Sequence, residues 1–152
     1  IMPGKGGLLL TGQMGDVMKE SARIALSAVR SMSKEYKVVD DFYDKHDIHL
    51  HIPEGAVPKD GPSAGITMAT AVIQRKIRAD VAMTGELSLR GRVLPIGGLK
   101  EKILAAKMAD IKTVIVPYKN KIDIEELSKE ITDGLEIVYV KELKEVLKKA
   151  FA

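Results

Sequence analysis

The sequence predicts an α/β fold: a single compact domain of mixed sheets with packed helices. Short runs rich in Val, Ile and Leu alternate along the chain with longer segments of helical periodicity, which is the pattern of this fold class. The run "TVIVP" at residues 113–117 is apolar throughout, as expected for a strand covered on both faces. The 152 residues are 45% hydrophobic but only 4% aromatic, so we expect one core of Ile, Val, Leu, Ala and Met.

Composition narrows the possible classes of protein. Charged residues make up 30% of the chain and leave a net charge of +3, mostly through lysines scattered along it; this favours a solvated surface over a nucleic-acid footprint. The absence of cysteine excludes a disulfide framework, a thiolate nucleophile and a cysteine-based metal site. No apolar run reaches membrane-spanning length and the N-terminus has no signal-peptide pattern, so we expect a cytoplasmic protein.

The first half of the chain predicts two strands separated by a long helix. Residues 8–11 have the pattern of a short strand, and residues 16–34 that of an amphipathic helix. The polar stretch that follows is expected to be a loop with a short turn at residues 39–43. Residues 47–52 alternate between apolar and polar side chains, which predicts a half-buried strand ended by Pro53. The positions expected to face the core are Val17, Ile24, Ala28, Met32, Ile48, Leu50 and Ile52.

The second half predicts helices and strands in alternation. The helix after the Gly/Pro-rich loop is expected to pack through Ile66, Ala69, Ile73 and Ile77, which have helical spacing. The predicted elements are a helix at 62–76, two strands within 80–98 joined by a turn at Gly91, a Gly-Gly breaker, a helix at about 99–110, a strand at 113–117, a helix near 122–131, a strand at 135–140 and a terminal helix within 141–152.

One serine stands at a helix start within "HIPEGAVPKDGPSAGIT", residues 51–67. Pro62 suits the first helical position, because its missing N–H has no partner there. Ser63 would then lie in the first turn, where backbone N–H groups are unpaired. Ala64 and Gly65 leave room for another backbone to approach. A hydroxyl beside free amides is what acyl transfer requires, namely a nucleophile next to an oxyanion site.

Two other interpretations of this segment stay open on these residues alone. Ser63 could be an ordinary helix-start serine that satisfies the backbone. The helix start could also be a phosphate cradle, because glycine-rich loops at helix starts bind anions. The P-loop pattern is absent, however, and the early "PGKGG" has neither its spacing nor a following helix.

A nucleophilic serine needs a base, and the first candidates are His46, His49 and His51. Asp47, His49 and His51 share one face of a predicted strand, which could indicate a metal site. No further ligand is evident, and polar residues on an exposed strand face are commoner, so we expect no metal. A lysine can also serve if it is neutral, but at a pKa near 10.4 only about one lysine in two thousand is neutral at pH 7.

Lys102 is the lysine that periodicity brings closest to a core. In "PIGGLKEKILAAK" it lies three residues after Leu99, next to Ile103 and four before Ala106, at the border of the apolar stripe. Periodicity alone favours a snorkelling lysine, with its stem on the core and its ammonium in water. A catalytic base would have to be drawn into a largely apolar place.

Three segments, "PEGAVPKDGPSAG", "ADVAMTGELSLRGRVLPIGGLKEKILAA" and "KTVIVP", closely resemble the proteolytic domain of the Lon family of ATP-dependent proteases, in its bacterial and mitochondrial form. The similarity runs from Met2 to the C-terminal helix. It implies the α/β fold of that domain and a serine endopeptidase with a Ser–Lys dyad.

The resemblance implies a role for six residues. Ser63, in "KDGPSAG", would be the nucleophile and Lys102, the second lysine of "GLKEK", the general base. Thr84, in "MTGE", matches a family threonine that hydrogen-bonds the catalytic lysine. Asp60 matches a loop aspartate linked to switching the site between open and blocked forms. The remaining two, His49 and His51, match the family's H-x-H strand and would be structural or accessory.

The resemblance also implies partners and cofactors. The full-length protein would be a homo-hexamer that uses ATP and Mg, degrades unfolded or damaged proteins and binds DNA weakly; the proteolytic domain itself would need no cofactor. The chain has no ATPase motifs, and the first strands of the family's proteolytic domain are missing upstream of Ile1. We therefore expect residues 1–152 to be an N-terminally truncated proteolytic domain without the ATPase and substrate-recognition domains.

Two alternative functions come from other classes of protein. One is a phosphate-binding domain like the small-molecule kinases of related α/β fold, with its anion site at Gly61, Pro62 and Ser63. The other is a non-catalytic ring-forming module, or a weak DNA binder that acts through its lysines.

Overall fold

The computed structural model describes residues 1–36, 38, 42–53, 57 and 59–152, with Phe42 described by its backbone alone. The strands in this part of the chain are β1 (Met2–Pro3), β2 (Leu8–Gly12), β3 (His46–Ile52), β4 (Val81–Met83), β5 (Glu86–Leu87), β6 (Val93–Leu94), β7 (Thr113–Pro117) and β8 (Glu136–Val140). The helices are α1 (Asp16–Ser31), α2 (Phe42–Lys45), α3 (Gly65–Val72), α4 (Leu99–Met108), a 3₁₀ turn (Tyr118–Asn120), α5 (Lys121–Glu125), α6 (Lys129–Thr132) and α7 (Leu143–Ala150).

A parallel sheet in the order β4-β7-β8 separates two hydrophobic cores. Every residue of the central strand β7 is buried, and successive side chains point to opposite faces. Ile115 packs into the core shared with α1, α3 and α7, which we call the first core. Val114 and Val116 pack into the core shared with α4 and α5, the second core. The predicted doubly covered strand is therefore confirmed.

Two smaller sheets lie beside the first core. In one, β3 is central, antiparallel to β1 and parallel to β2. In the other, β5 and β6 form a short hairpin whose turn contains Gly91 at a positive φ of 75°, as predicted. Ile48 of β3 and Leu87 of β5 are buried in the first core. The mixed α/β domain predicted from the sequence is confirmed, with its sheets divided in three.

The buried face of helix α1 is rotated by about one residue from the face that the sequence predicted. Val17 is 46% exposed, whereas Met18, Ala22, Ala25 and Val29 are buried. Of the four predicted inward positions only Ala28 is buried, because the small residues of this helix face α3 and permit close contact between the two helices. The prediction followed the larger side chains, and for Val17 it was wrong.

Helix α3 is shorter than predicted at both ends. It begins at Gly65, not Pro62, because the Ser63 carbonyl is bonded to the N–H of Gly85 and cannot accept a bond from the helix. It ends at Val72, before Gln74 adopts a left-handed φ of 55°. Ile66, Ala69 and Ile73 are buried as expected, but Ile77 lies outside the helix and is 37% exposed.

The remaining predictions concern the second half and the first loop. The predicted helix near 122–131 is two short helices, α5 and α6, with a break between them. The helix α4, the strand β8 and the terminal helix α7 are confirmed. The predicted turn at 39–43 lies partly outside the described residues, which show α2 at its end. Among the described residues no helix is both long and apolar enough to cross a membrane.

Candidate active site

Ser63 lies in the turn that precedes α3, and this turn is joined to the segment after β4. The Ser63 carbonyl accepts hydrogen bonds from the N–H of Gly85 at 2.8 Å and from the Thr84 hydroxyl at 3.2 Å. The N–H of Ile66 returns a bond to the Gly85 carbonyl at 3.1 Å. Backbone and side-chain groups thus hold the serine against the end of β4, independently of the helix that follows.

Gly65 permits this close approach. A Cβ at Gly65 would stand 2.8 Å from the backbone nitrogen of Leu87 and 3.1 Å from its Cβ, closer than carbon and nitrogen can pack. The sequence argument that Ala64 and Gly65 leave room for another backbone is therefore confirmed for Gly65, and the neighbouring backbone belongs to β5. The carbonyls of Pro62 and Ser63 both accept hydrogen bonds.

The hydroxyl of Ser63 is half-buried and does not cap α3, whose first residues receive no side-chain cap. Within the described residues, the N–H groups of Ser63 and Ala64 donate no hydrogen bond, so two free donors lie beside the hydroxyl. The N–H groups of Gly65 and Ile66 are occupied by the carbonyls of Pro62 and Gly85. This arrangement suits a small oxyanion beside the serine better than a phosphate bound across the helix start.

Lys102 lies on the first turn of α4, on the other side of the parallel sheet. Its side chain is half-buried and reaches back towards the start of its own helix, with Nζ 3.7 Å from the position that a Cβ on Gly98 would take. This direction follows from helix geometry, which tilts side chains towards the N-terminus. In the described part of the chain Nζ has no hydrogen bond or ion pair, so the amine is not committed to a carboxylate.

A pocket of about 310 Å³ brings Ser63, Thr84 and Lys102 together. Thr84 is 6% exposed and directly follows β4. Among the described residues no hydrogen bond joins Ser63 to Lys102, or Thr84 to Lys102; the Thr84 hydroxyl is bonded to the Ser63 carbonyl instead. The rest of the wall, which sequence reasoning did not find, is apolar except for Thr67: it consists of Ala64, Thr67, Ala82, Met83, Ala105 and Val114.

Asp60 caps a helix and does not line this pocket. Its Oδ1 accepts the N–H of Met18 at 2.9 Å, in the first turn of α1, whose own N-cap residue Gly15 has no capping side chain. Hydrogen bonds from the N–H groups of Met18, Gly61 and Val17 hold the pKa of the Asp60 carboxyl below its usual range. Asp60 thereby ties the loop that leads to Ser63 to the start of α1.

His49 and His51 lie on the exposed face of β3 and do not line the pocket either. The Thr11 hydroxyl on β2 bonds to Nε2 of His49 and to Nδ1 of His51, each at 2.8 Å. This places both histidines in a surface network between neighbouring strands. The third predicted member of their face, Asp47, is bonded elsewhere, and the described residues contain no group of three side chains suited to a metal ion.

Asp47 explains the early glycine-rich segment "PGKGG". Its carboxylate accepts the N–H of Gly7 at 2.6 Å and of Lys5 at 2.9 Å, and these bonds, with one from Gly6, lower the pKa of Asp47. A Cβ at Gly4 would fall 2.1 Å from the Asp47 Cγ, so the loop wraps closely around the carboxylate. An internal carboxylate therefore fills the cradle that this segment forms, which leaves no space there for a phosphate.

Comparison with known proteins gives matches that extend over almost the whole chain. Residues 1–152 match the model of the Lon protease (S16) C-terminal proteolytic domain. The chain is 63% identical over 153 residues to a Lon protease of Lachnoclostridium phytofermentans, covering 98% of this chain and 19% of the relative. It is 54% identical over 154 residues to Lon protease 1 of Bacillus subtilis, covering 99% of this chain and 20% of the relative. The chain therefore spans about a fifth of the length of the curated relatives it matches.

Proposed function

The chain belongs to the Lon protease (S16) family of C-terminal proteolytic domains, and we propose that it hydrolyses peptide bonds with Ser63 as nucleophile and Lys102 as general base. One observation carries this proposal: the hydroxyl-bearing turn and an amine without an ion-pair partner among the described residues border the same pocket, although they belong to helices on opposite faces of a sheet. A serine and a lysine that border the same space are what a nucleophile and its general base require.

The proposed reaction has two halves. In the first, uncharged Lys102 takes the proton of the Ser63 hydroxyl while Oγ forms a bond to the peptide carbonyl carbon. The Lys102 ammonium then gives its proton to the departing amine as the C–N bond breaks, which leaves an acyl ester on Ser63. In the second half Lys102 takes a proton from water, the water oxygen attacks the ester, and Ser63 recovers its proton as the acid leaves.

The free N–H groups of Ser63 and Ala64 support the charged intermediate. Each half of the reaction places a negative charge on the former carbonyl oxygen, and preorganised backbone donors stabilise such a charge strongly in a partly dry site. Removing one donor of this kind costs about 10²–10³ in rate in other enzymes. Because these donors are main-chain groups, the bonds from Gly85 and Thr84 to the Ser63 carbonyl position them indirectly.

Thr84 would act by holding both partners. Its hydroxyl donates to the Ser63 carbonyl in this structure, and its oxygen can still accept a hydrogen bond from Lys102. Apo sites often have long catalytic contacts that shorten when substrate binds. A Thr84–Lys102 bond, the contact expected from the family resemblance, would form in that shortened state.

The apolar wall of the pocket indicates what it binds. Ala64, Ala82, Met83, Ala105 and Val114 line most of the pocket around the reacting groups, with Thr67 as a further polar residue. A mainly apolar lining suits an aliphatic side chain of the substrate. We propose that the residue whose carbonyl is attacked carries an apolar side chain. Ala105→Leu should then reduce cleavage after large apolar residues more than cleavage after alanine, as measured by mass spectrometry of the products.

The test uses the chain with an unstructured protein substrate and with an acylating reagent directed at serine. Ser63→Ala should abolish cleavage and labelling, and Lys102→Met should slow acylation at least about 100-fold, the usual contribution of a general base. Matched controls are Ser27→Ala and Lys100→Met, an exposed serine and an exposed lysine that do not line the pocket. Full cleavage by either site variant would reject the dyad.

The role of the longer protein is also a proposal, and it rests on the family resemblance. We propose that an ATPase module, with ATP and Mg, feeds unfolded or damaged proteins to this domain in a homo-hexamer, in the cytoplasm. Weak DNA binding by the full-length protein belongs to the same set of predictions. Since the chain spans about a fifth of its relatives, these properties need the full-length protein for their tests.

A further inference from the structure

Asn120 is a buried polar residue whose side chain is bonded to the segment that starts α4. It follows β7, at the end of the 3₁₀ turn, and is 3% exposed. Its Oδ1 accepts the N–H of Ile96 at 3.0 Å, and its Nδ2 donates to the carbonyl of Ile96 at 2.9 Å. Nδ2 also donates to Oδ2 of Asp123 at 2.6 Å. The side-chain amide thus satisfies both backbone groups of one residue, as a neighbouring strand would.

The segment that Asn120 binds has few other restraints. Pro95 has no N–H to donate, and Gly97 and Gly98 are exposed. A Cβ at Gly97 would meet nothing within 4 Å, and Gly98 enters the helix with a left-handed φ of 67°. Glycines leave the backbone unusually free. The side chain of Ile96 packs against the second core, and the two bonds from Asn120 fix its backbone just before α4 begins.

The start of α4 determines where Lys102 lies. Lys102 is the fourth residue of the helix, and its N–H bonds to the carbonyl of Gly98 at 3.2 Å. Its side chain reaches back towards the same glycine. Leu99 and Ile103 hold the helix in the second core on either side of Lys102, so the core and the loop place the amine together. A shift of the loop moves the Gly98 carbonyl to which the Lys102 N–H is bonded, and the first turn with it.

We propose that Asn120 is a positioning residue for the proposed reaction: by clamping Ile96 it sets the place of the Lys102 amine relative to Ser63. Asp123 orients the Asn120 amide by accepting one N–H of Nδ2, which leaves the other for Ile96. The inference rests on the proposed function, since it concerns the rate of a step that Lys102 performs. A displacement of about 1 Å far from the chemistry can lower a rate about 100-fold.

The test measures kcat and KM for a chromogenic ester that acylates Ser63, per folded molecule, together with Tm. Asn120→Asp keeps the size and the acceptor but loses the donor to Ile96; we expect kcat to fall at least tenfold with KM within twofold. Asp123→Ala removes only the orienting acceptor, from an exposed residue, and should lower kcat about threefold or more. Ile103→Val is the matched control, because it loosens the core beneath α4 and should lower Tm without changing kcat.

The possible results separate the positioning role of Asn120 from the proposed function. Unchanged kcat in Asn120→Asp, beside a loss of acylation in Lys102→Met, overturns the positioning role and leaves the proposed function in place. Equal loss of kcat in Ile103→Val would show that general loosening is the cause, which also overturns it. If Asn120→Asp does not fold, Asp123→Ala decides alone. Full activity of Ser63→Ala or Lys102→Met would instead be a failure of the proposed function.

Discussion

Ser63 is placed by its main chain. Its carbonyl is held by the N–H of Gly85 and the hydroxyl of Thr84, while its own N–H and that of Ala64 stay free within the described residues. The bonds to the Ser63 carbonyl fix the position of this residue without using its hydroxyl or the two N–H groups. Substitutions near this turn should therefore act on the reaction through backbone position.

Gly65→Ala tests this idea at the residue that allows the contact with β5. The new methyl would stand 2.8 Å from the Leu87 nitrogen, and overpacking of this kind costs about 1–3 kcal/mol. Alanine's better helix propensity returns about 0.5–1 kcal/mol. We expect a net loss of stability in urea unfolding and a loss of Ser63 acylation.

Gly97→Ala is the matched control, since a Cβ there meets nothing within 4 Å and the residue should tolerate it. Unchanged stability and acylation in Gly65→Ala would show that α3 and β5 can separate freely, against the contact described above.

Replacing Asp60 by asparagine should change how the stability of the chain depends on pH. The Asp60 pKa lies below its usual 3.8 because backbone N–H groups, first that of Met18, favour the carboxylate. A lowered pKa in the folded state means that the stabilisation is present above about pH 4 and is lost as pH falls through the folded-state value. The asparagine variant would lack this contribution at neutral pH, so its Tm at pH 7 should be lower than that of the unmodified chain.

In a series of thermal melts from pH 7 to pH 2, the Tm of the asparagine variant should also depend less steeply on pH below pH 5. Asp133→Asn, an exposed carboxyl with no hydrogen bond among the described residues, should leave Tm at pH 7 unchanged. Parallel acid profiles for Asp60→Asn and the unmodified chain would contradict the capping role.

At the residue scale, the sequence predicts the two groups proposed to react but not the contacts that support them. Ser63 and Lys102 were found from their neighbours and from family motifs. Asp60 was expected near the nucleophile, yet its carboxylate caps α1 more than forty residues earlier in the chain. Long-range bonds of this kind leave no local periodicity, so no window of sequence contains them. Asn120 lies three residues after β7, between Lys119 and Lys121, and no local pattern distinguishes it from its polar neighbours.

At the scale of elements, α4 carries both Lys102, the proposed general base, and a residue of the second core. Ile103 follows Lys102 directly and is fully buried, so the side chain that anchors the helix and the one that reaches the pocket are neighbours. Ile103→Ala should lower the free energy of unfolding by about 2–5 kcal/mol, or Tm by about 2–4 °C for each kcal/mol. Equilibrium urea unfolding and thermal melts measure both.

Met108→Ala removes a side chain that is 86% exposed on the same helix and should change stability by less than about 0.5 kcal/mol. Similar losses in the two variants would mean that α4 does not depend on the second core.

Element types were predictable from periodicity, whereas their phases and ends were decided by tertiary contacts. In α1 the small residues are buried because α3 lies close, so the larger Val17 is left outside. In α3 the Ser63 carbonyl is taken by Gly85, so the helix starts two residues after the serine. Both outcomes depend on partners that are distant in sequence, which hydrophobic spacing does not report.

On the scale of the whole molecule, the pocket joins the two cores. Ser63 precedes a helix of the first core, and Lys102 lies on a helix of the second. The two groups come together beside the edge strand β4, where Ala82 and Met83 line the pocket with Val114 of β7. The site therefore requires both cores to be folded at once.

Urea titration can test this dependence. Acylation of Ser63 and the far-UV circular dichroism should be lost in one transition with the same midpoint, as for a two-state domain. In a variant whose other three tyrosines are replaced by phenylalanine, the fluorescence of Tyr139, which packs on the second core, should follow the same curve. Acylation that persists after the Tyr139 signal has changed would show that the reacting pair does not need the second core.

The central strand β7 sends Val114 and Val116 to one side and Ile115 to the other. A slip of this strand by one residue would exchange every side chain between the two interiors, and each interior would then receive the wrong number of branched residues. No neighbouring alignment is therefore tolerable. The position of Ser63 relative to Lys102, the two groups proposed to react, therefore depends on a strand with a single permitted register.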